Sequence, residues 1–321
     1  MHIPDGFING TTSLGAGLVA AGSLAAGLKQ AGKRLTDRHV PLAGLAAAFI
    51  FAAQMINFPV GAGTSGHLIG GGLAAVLLGP WLATVVLAVV VGVQALIFAD
   101  GGVSALGLNI INMAILAPWS TWLLFRLLRA FLPRTQRAVI VSAGIGSALS
   151  VVIAALGFVA EYAIGGTGGA PVQTVLIAMG GVHVLIGIGE GLITAVIVGA
   201  VLAARPDIVA GAGDLLETSA RPSRRIGRFV AAGIGAALLV AAFISPFANN
   251  NPDGLERVAT DQGFAATAQP GIVEDRSPLA GYAFGSNGAV ATAVAGVVGV
   301  GITFGVGYAV VRLRRQSRAG R

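Results

Sequence analysis

The sequence predicts an all-α polytopic membrane protein, and composition, charge-free runs and span length all support this class. Of the 321 residues, 55% are hydrophobic and only 10% are charged, whereas soluble domains carry about 25% charged residues. Long apolar runs without Asp, Glu, Lys or Arg cover 39–99, 138–160, 229–252 and 277–311. Because a transmembrane helix needs about 20 such residues, these runs exclude a soluble enzyme, a disordered chain and a nucleic-acid-binding protein.

Residues and motifs that are missing narrow the class further. The chain contains no cysteine, which excludes disulfide bonds, thiolate zinc sites and cysteine catalysis. It also lacks the GxxxxGK[ST] phosphate loop and the HExxH metalloprotease motif, so we expect neither ATP hydrolysis nor zinc proteolysis here. No basic segment precedes the first apolar run, as a secretory signal peptide would require. We therefore expect Met1 to be the mature N-terminus.

Hydropathy predicts nine membrane spans. The third is short, about 20 Å of helix at 1.5 Å per residue, so a partial or re-entrant helix is an alternative there. The seventh is longer than one crossing needs and should tilt or project beyond the bilayer. The nine spans cover residues 11–28, 41–56, 67–79, 81–99, 105–128, 138–160, 172–203, 229–247 and 288–311.

The distribution of basic residues predicts the orientation of the chain. With nine spans, all 20 basic residues except Arg257 and Arg276 fall on one side of the membrane. Lys and Arg in short loops mark the cytoplasmic face, so the N-terminus should lie outside and the C-terminus inside. The basic residues of the cytoplasmic side lie in segments 29–38, 126–137, 205–228 and 312–321.

A polar segment divides the chain into two predicted units. Residues 205–228 are rich in Arg, Pro, Ser and Gly and indicate a cytoplasmic linker. It separates a seven-span domain, 1–204, from a two-span domain, 229–321. The second domain carries a polar exterior loop, 248–287, whose Pro-Asp-Gly triplet at 252–254 is typical of a type I turn.

Two of the four histidines fall on the exterior side by span counting. These are His2 and His67, whereas His39 lies among cytoplasmic basic residues. The Met1 amine, the His2 backbone nitrogen and the His2 Nδ1 can form adjacent five- and six-membered chelate rings around one metal ion. His67 can supply the fourth corner of a plane of nitrogens, a geometry that suits Ni(II) or Cu(II). The competing interpretation is that His2 follows Met1 by chance and that His67 is a polar residue at a helix start.

Other polar residues of the exterior side are candidates to support this site. Asn57 and Ser65 belong to a glycine-rich run, 57–67, which can form a tight loop that presents His67. Asp100 follows the fourth span on the same side. Each of these segments is equally compatible with an ordinary turn between spans.

His183 and Glu190 lie within the seventh span. Their spacing of seven residues places them on one helical face, and a charge at the bilayer centre costs about 2.5–3.5 kcal/mol. Glu190 should therefore face the bundle interior, protonated or paired. Both a functional and a packing role remain open for the two residues, but Glu190 lies too deep to meet Met1.

Several motifs together resemble the membrane substrate-capture subunit of energy-coupling-factor (ECF) transporters for cobalt and nickel, over about 1–204. The domain 229–321 resembles the small two-span accessory subunit of the same systems, here fused to the capture subunit. The motifs are MHIPDGF at 1–7, the loop 57–67 with GGG at 70–72, FADGG at 98–102, the segment 183–194, PDGLE at 252–256 and SPLAGY at 277–282.

The resemblance implies a seven-span bundle typical of these capture subunits, plus the two-span unit. It implies that Met1, His2 and His67 hold Co²⁺ or Ni²⁺ as the transported substrate, without a cofactor of the chain's own. The implied partners are membrane lipid, a transmembrane coupling subunit and two cytoplasmic ATPases, whose work tilts the capture subunit and carries the metal inward. The small residues implied to contact the coupling subunit are Ala16, Ala20, Ala21 and Ala25.

The sequence thus predicts a metal-uptake subunit of a prokaryotic plasma membrane that is not an enzyme by itself. Nitrogen ligands bind Cu(II) more tightly than Ni(II) or Co(II), so the ligands do not identify the metal; between the two implied substrates we favour cobalt. The accessory domain is predicted to assist loading. One alternative is a capture subunit for an organic vitamin, and another is an independent transporter or membrane enzyme that uses His183 and Glu190.

Overall fold

The predicted all-α membrane class is confirmed. The computed structural model describes residues 1–61, 63–216, 226–284 and 288–319, and 76% of these residues are helical. Within these residues, seven helices are long and apolar enough to cross a membrane. Arg221, Arg224, Arg225 and Arg321, counted above among the cytoplasmic basic residues, lie outside the described residues, as does Ala62 of the glycine-rich loop.

In the described part of residues 1–204, the chain forms eight helices and one hairpin. A π-helical turn at Gln94–Phe98 extends α4, and a second at Ile110–Leu116 joins α5 to α6. The short antiparallel hairpin consists of β1 (Phe58–Gly61) and β2 (Thr64–Gly66). The helices are α1 (Gly10–Gly32), α2 (His39–Gln54), α3 (Gly71–Leu78), α4 (Pro80–Val93), α5 (Leu106–Asn109), α6 (Ala117–Phe131), α7 (Gln136–Gly165) and α8 (Val172–Ala204).

The third predicted span is not a transmembrane helix. Only Gly71–Leu78 is helical, about 12 Å at 1.5 Å per residue, against a hydrocarbon core of about 30 Å. Gly70, with φ +78°, ends the non-helical segment that leads from His67 into α3. The chain still passes from one end of the bundle to the other here, because α3 contacts the predicted cytoplasmic linker. A Cβ on Gly211 of that linker would lie 3.2 Å from the side chain of Val76.

The carboxylate of Glu190 satisfies this non-helical backbone. Its two oxygens accept hydrogen bonds from the backbone N–H groups of Ile69 at 2.7 Å and of Gly70 at 3.0 Å. Irregular backbone inside a membrane protein needs such internal partners, since lipid offers none. Glu190 faces the bundle interior, as the sequence predicts, and its two shortest hydrogen bonds come from backbone donors; the Ser147 hydroxyl donates to it at 3.4 Å.

The C-terminal unit packs along the bundle. Its helices are α10 (Ile226–Leu239), which continues to Phe247 through a π-helical and a 3₁₀ turn, α11 (Gly254–Asp261) and α12 (Ala289–Ala319); the short α9 (Gly213–Leu216) precedes them. Helix α12 lies against α2, and a Cβ on Gly299 would meet the ring of Phe51 at 2.2 Å. Small residues allow this close approach.

The turn predicted at 252–254 is wrong, because a helix starts there. Asp253 is the N-cap of α11, and its Oδ1 accepts hydrogen bonds from the backbone N–H groups of Leu255 at 2.8 Å and Glu256 at 2.9 Å. Glu256 in turn accepts from the backbone N–H of Asp253 at 2.9 Å. This reciprocal capping box follows from the acidic residue three positions after the cap.

The two ends of the bundle differ in character. The N-terminus, Asp100 and the segment that contains α11 meet at one end. At the other end, Arg129 pairs with Asp214 at 2.5 Å, and Arg314 donates to the carbonyl oxygen of Leu28 at 2.9 Å. The structure thus places the predicted exterior and cytoplasmic residues at opposite ends, while the orientation in the membrane stays a prediction.

Replacement of Glu190 by leucine should destabilise the protein. The E190L variant leaves two buried backbone donors without an acceptor, at a cost of about 1–3 kcal/mol each. We expect a lower thermal midpoint in detergent, followed by tryptophan fluorescence. The control is L192A, which alters an exposed side chain of the same helix. An E190L variant that melts together with the wild type would contradict this role.

Candidate functional site

The first residues of the chain are threaded into the mouth of the bundle. Ile3 is fully buried, and Asn109 pairs with its backbone: the amide oxygen accepts from Ile3 N–H at 2.8 Å, and the amide nitrogen donates to the Ile3 carbonyl at 3.1 Å. Asp5 anchors the segment from the other side, because its Oδ1 accepts from the backbone N–H of Ser104 at 2.8 Å. These contacts fix Met1 and His2 in place.

The Met1 amine lies between a histidine and a carboxylate. It is in direct contact with Nε2 of His67 and forms an ion pair with Oδ2 of Asp253 at 2.9 Å. The Nδ1 of His67 lies 3.1 Å from the carbonyl oxygen of Leu68, an acceptor to which it donates its hydrogen. With that hydrogen on Nδ1, Nε2 directs its lone pair toward the amine.

The imidazole of His2 lies beside that of His67. The ring centroids are 5.1 Å apart and the planes are inclined by only 14°. Burial lowers the pKa of His2 to about 4, although the charge of Asp100 opposes this shift. The metal-free ring is therefore neutral at pH 7 and carries one N–H.

The His2 ring faces more acceptors than it can satisfy. Its Nε2 lies 3.2 Å from Oε1 of Gln94, and its Nδ1 lies 3.1 Å from Oδ1 of Asp100. Tyr282 supplies none of the missing hydrogens, since its hydroxyl donates to Asp100 at 2.5 Å and accepts from Gln94 at 3.2 Å. One N–H cannot serve both oxygens, so either placement of the hydrogen leaves a nitrogen lone pair facing an acceptor. A cation bound at Nδ1 removes this conflict and leaves the N–H for Gln94.

Charge at the mouth comes from both units of the chain. Burial by itself would raise the pKa of Asp253, but the charged amino terminus and His67 outweigh it and hold this pKa well below its usual range. Burial and the charge of Asp253 raise the pKa of Glu256. Burial, followed by the charge of Asp100, raises the pKa of Tyr282 well above its usual value, which keeps its hydroxyl a donor.

A polar cavity of about 450 Å³ leads to these residues. It is formed by both units, and its lining is dominated by amide and carboxylate side chains. Asn57 belongs to it, and its carbonyl oxygen accepts from the backbone N–H of Asn249 at 2.9 Å. Ser65 is fully buried outside this lining, where its hydroxyl donates to the carbonyl of Asn251 at 2.7 Å. Both predicted residues thus tie the hairpin to the C-terminal unit.

His183 lies next to the cluster, deeper in the bundle. A small cavity of about 10 Å³, room for about one water, is lined by Met1, His67, His183 and Asp253 among others. The Nδ1 of His183 donates to the carbonyl of Met179 at 2.8 Å, while its Nε2 has no hydrogen-bond partner among the described residues. Glu190 is not part of this lining and binds backbone instead.

The four alanines predicted to contact a coupling subunit fall into two pairs. Ala16 and Ala20 are buried inside the chain, and α1 approaches α5 so closely that a Cβ on Gly107 would lie 2.8 Å from the backbone of Ala16. Ala21 and Ala25 are exposed. Only the second pair is free for an external partner.

The partners of the predicted ligands were not among the residues predicted from the sequence. Within the described residues, no group of three or more His, Cys, Asp or Glu side chains has the arrangement of an all-side-chain metal site. The amine, the histidines and the polar residues around them form the cluster instead. Gln94 and Asn109 could have been identified from the sequence, because they are polar residues inside apolar runs. Asp253 and Tyr282 lay within the motifs that mark the C-terminal unit, but nothing local indicated their target.

Known proteins share both parts of this architecture. Residues 2–208 match the family described as "Cobalt uptake substrate-specific transmembrane region", and residues 227–316 match the PDGLE domain. A putative fused nickel transport protein of Archaeoglobus fulgidus is 34% identical over 98% of this chain and 99% of its own length. A cobalt transport protein of Pelobacter propionicus is 34% identical over 63% of this chain and 91% of its own. The crystal structure of a transition metal transporter has a TM-score of 0.58 and 31% identity, over 68% of this chain and 98% of that one.

These features define a multi-pass membrane transport protein with a nitrogen-rich site at one end of a helical bundle. The chain belongs to the cobalt uptake substrate-specific (CbiM) family and carries a fused PDGLE domain, as the motifs predict. Its relatives are named as transport proteins of archaea and bacteria, in keeping with a prokaryotic plasma membrane protein.

Loss of the Asn109 pairing should release the N-terminal segment. The N109L variant removes two hydrogen bonds to Ile3, each worth about 0.5–1.5 kcal/mol. We expect the α-amine of the metal-free protein to react several-fold faster with an acylating reagent. The control is N250A, an exposed asparagine that lines the same cavity. Equal labelling rates for N109L and the wild type would show that Asn109 does not hold the segment.

Proposed function

We propose that this chain is the substrate-capture component of an ATP-driven ECF importer that takes up Co²⁺ or Ni²⁺. The observation that carries the proposal is the contact of the Met1 amine with Nε2 of His67, beside the His2 ring, in a polar mouth. Four nitrogens of three residues are the proposed ligands: the Met1 amine, the His2 backbone nitrogen and Nδ1, and the His67 Nε2.

The hydrogen bonds of the two imidazoles support this ligand set. A histidine that binds a metal through one nitrogen usually donates the other N–H to a fixed acceptor. For His67 that acceptor is the Leu68 carbonyl, and for His2 it is Gln94, which leaves Nε2 of His67 and Nδ1 of His2 as ligands. Asp100 lies beside the latter nitrogen and supplies negative charge. We assign it, with Gln94, the role of positioning His2.

Two metals, nickel and cobalt, are candidates for the transported substrate. A planar set of nitrogens suits Ni(II), and the full-length fused relative is named for nickel, while the family description and the Pelobacter relative name cobalt. The preference for cobalt derived from the sequence stays a prediction. Separate titrations with Ni²⁺ and Co²⁺ decide which ion the protein binds more tightly.

Transport by this component requires partners that hydrolyse ATP. The chain has no phosphate-binding loop of its own, and we propose a transmembrane coupling subunit and two ATPases as the source of the work. Of the four alanines predicted to contact the coupling subunit, Ala21 and Ala25 are exposed and free to receive it. Tilting of the bundle then carries the metal inward, and the C-terminal unit assists loading at the mouth.

The alternatives receive less support. A vitamin-capture subunit does not need a free N-terminal amine in its site, yet here the amine lies buried against His67. An independent transporter or enzyme that uses His183 and Glu190 would need both groups available, but the oxygens of Glu190 bind backbone donors. The contacts of the amine and of Glu190 favour metal capture.

Blocking the amine or removing His67 should abolish metal binding. Each change removes one of four nitrogens and, for the amine, also opens a chelate ring. We expect no measurable binding of Ni²⁺ or Co²⁺ to N-terminally acetylated protein or to the H67A variant in calorimetric titrations. The H39A variant, altered at the opposite end of the bundle, should bind like the wild type. Full affinity in H67A would defeat the proposed site.

A bulky residue on the free face of α1 should uncouple capture from uptake. The A25L variant enlarges a position that a coupling helix must approach closely, so ATP-driven uptake into vesicles should fall while metal binding stays unchanged. The control is A160L, at an exposed position of α7. If A25L and A160L support equal uptake, α1 is not the docking face.

A further inference from the structure

The C-terminal unit places one carboxylate directly against the proposed ligands. Oδ2 of Asp253 lies 2.9 Å from the Met1 amine and 3.7 Å from Nε2 of His67. The three groups also line the same small cavity. A residue of the accessory domain thus stands within contact distance of two nitrogens that belong to the capture domain.

The two oxygens of Asp253 have separate partners. Oδ1 caps α11, where it accepts from the backbone N–H groups of Leu255 and Glu256. Oδ2 is thereby left to face the amine and the imidazole. Because the cap fixes the side chain, the position of Oδ2 does not depend on its contact with Met1.

The backbone before Asp253 is fixed to the capture domain as well. The hydroxyl of Ser65 donates to the carbonyl of Asn251 at 2.7 Å, and the backbone N–H of Ser65 donates to the carbonyl of Pro252 at 2.9 Å. Ser65 lies two residues before His67, on the strand that leads to it. The histidine and the carboxylate are therefore held in register by one short stretch of backbone.

Charge explains why a carboxylate belongs at this position. Met1 and His67 are both buried, and a buried positive charge is costly unless it is paired. Before the metal arrives, the charged amine needs such a partner. After the metal arrives, a divalent ion held by nitrogen ligands carries more positive charge and has a greater need of a negatively charged partner.

We propose that Asp253 is a positioning residue of the metal site, contributed by the C-terminal unit. Its carboxylate holds the N-terminal amine in place in the metal-free protein and remains beside the divalent ion as its counter-charge. The complete capture site then spans both units of the chain. The inference rests on the proposed function and deepens it, since it gives the fused domain a direct part in metal binding.

The D253N and E256Q variants form a matched pair for the test. Asparagine caps helices about as well as aspartate, so D253N removes the charge at Oδ2 and preserves the start of α11. The E256Q variant removes a charge from the same helix and cavity, and glutamine preserves the capping box. Both are prepared as the full chain in detergent, and equal thermal midpoints confirm that they fold.

Two measurements distinguish a positioning role from a structural one. The first is the dissociation constant for Ni²⁺ by calorimetry, and the second is the rate at which the α-amine of the metal-free protein is acylated. We expect D253N to bind Ni²⁺ about 10–100-fold more weakly, the usual effect of losing a group that supports a metal ligand. Its amine should also react faster, while E256Q should match the wild type in both measurements.

Two results would overturn the inference. D253N with wild-type affinity and labelling would show that the carboxylate does not act on the site. An equal loss in E256Q would show that only the general acidity of the cavity matters. The H67A variant separates these outcomes from a failure of the proposed function: if H67A binds Ni²⁺ at full affinity, the ligand set itself falls, whereas loss of binding in H67A with unchanged D253N rejects Asp253 alone.

Discussion

The position of His67 depends on the carboxylate of Glu190. A continuous helix through residues 67–79 would satisfy its own backbone but would carry the histidine away from the extended segment that presents it. Glu190 accepts the N–H groups of Ile69 and Gly70 deep in the bundle, so the chain can remain non-helical up to Gly70. Lipid offers no hydrogen bonds to the backbone. The Glu190 side chain therefore stabilises the extended segment, and with it the placement of His67 beside Met1.

The mouth of the bundle is assembled from segments that cannot form it alone. The N-terminal segment has no regular structure before α1 and takes its shape from Asn109 and Asp5. The hairpin that precedes His67 is tied to the segment before α11 through Ser65. Each piece is ordered by contact with the others, and the C-terminal unit thereby reaches the amino terminus of the chain.

The chemistry of the site follows from preset hydrogen bonds. The Leu68 carbonyl directs the lone pair of His67 toward the amine, and Gln94 offers an acceptor for Nε2 of His2. Gln94 lies in a π-helical turn at the end of α4, a distortion that is frequent at functional sites. For the proposed ligand set, such preorganisation means that an arriving cation need not reorient either ring.

The class, the long apolar helices and the neighbouring nitrogens of Met1 and His2 could be predicted from the sequence, because they depend on local composition and covalent adjacency. Counting spans also placed His2, His67 and Asp100 at one end. The helix capped by Asp253 has a local signal in the sequence, because Glu256 lies three positions after the cap. The break before α3 and the burial of Ala16 and Ala20 were decided by tertiary structure. So were the contacts of Gln94, Tyr282 and Asp253, since each partner lies many residues away in sequence. Those contacts exist only because close packing of α2 on α12 and of the N-terminal segment in the mouth brings the two units together.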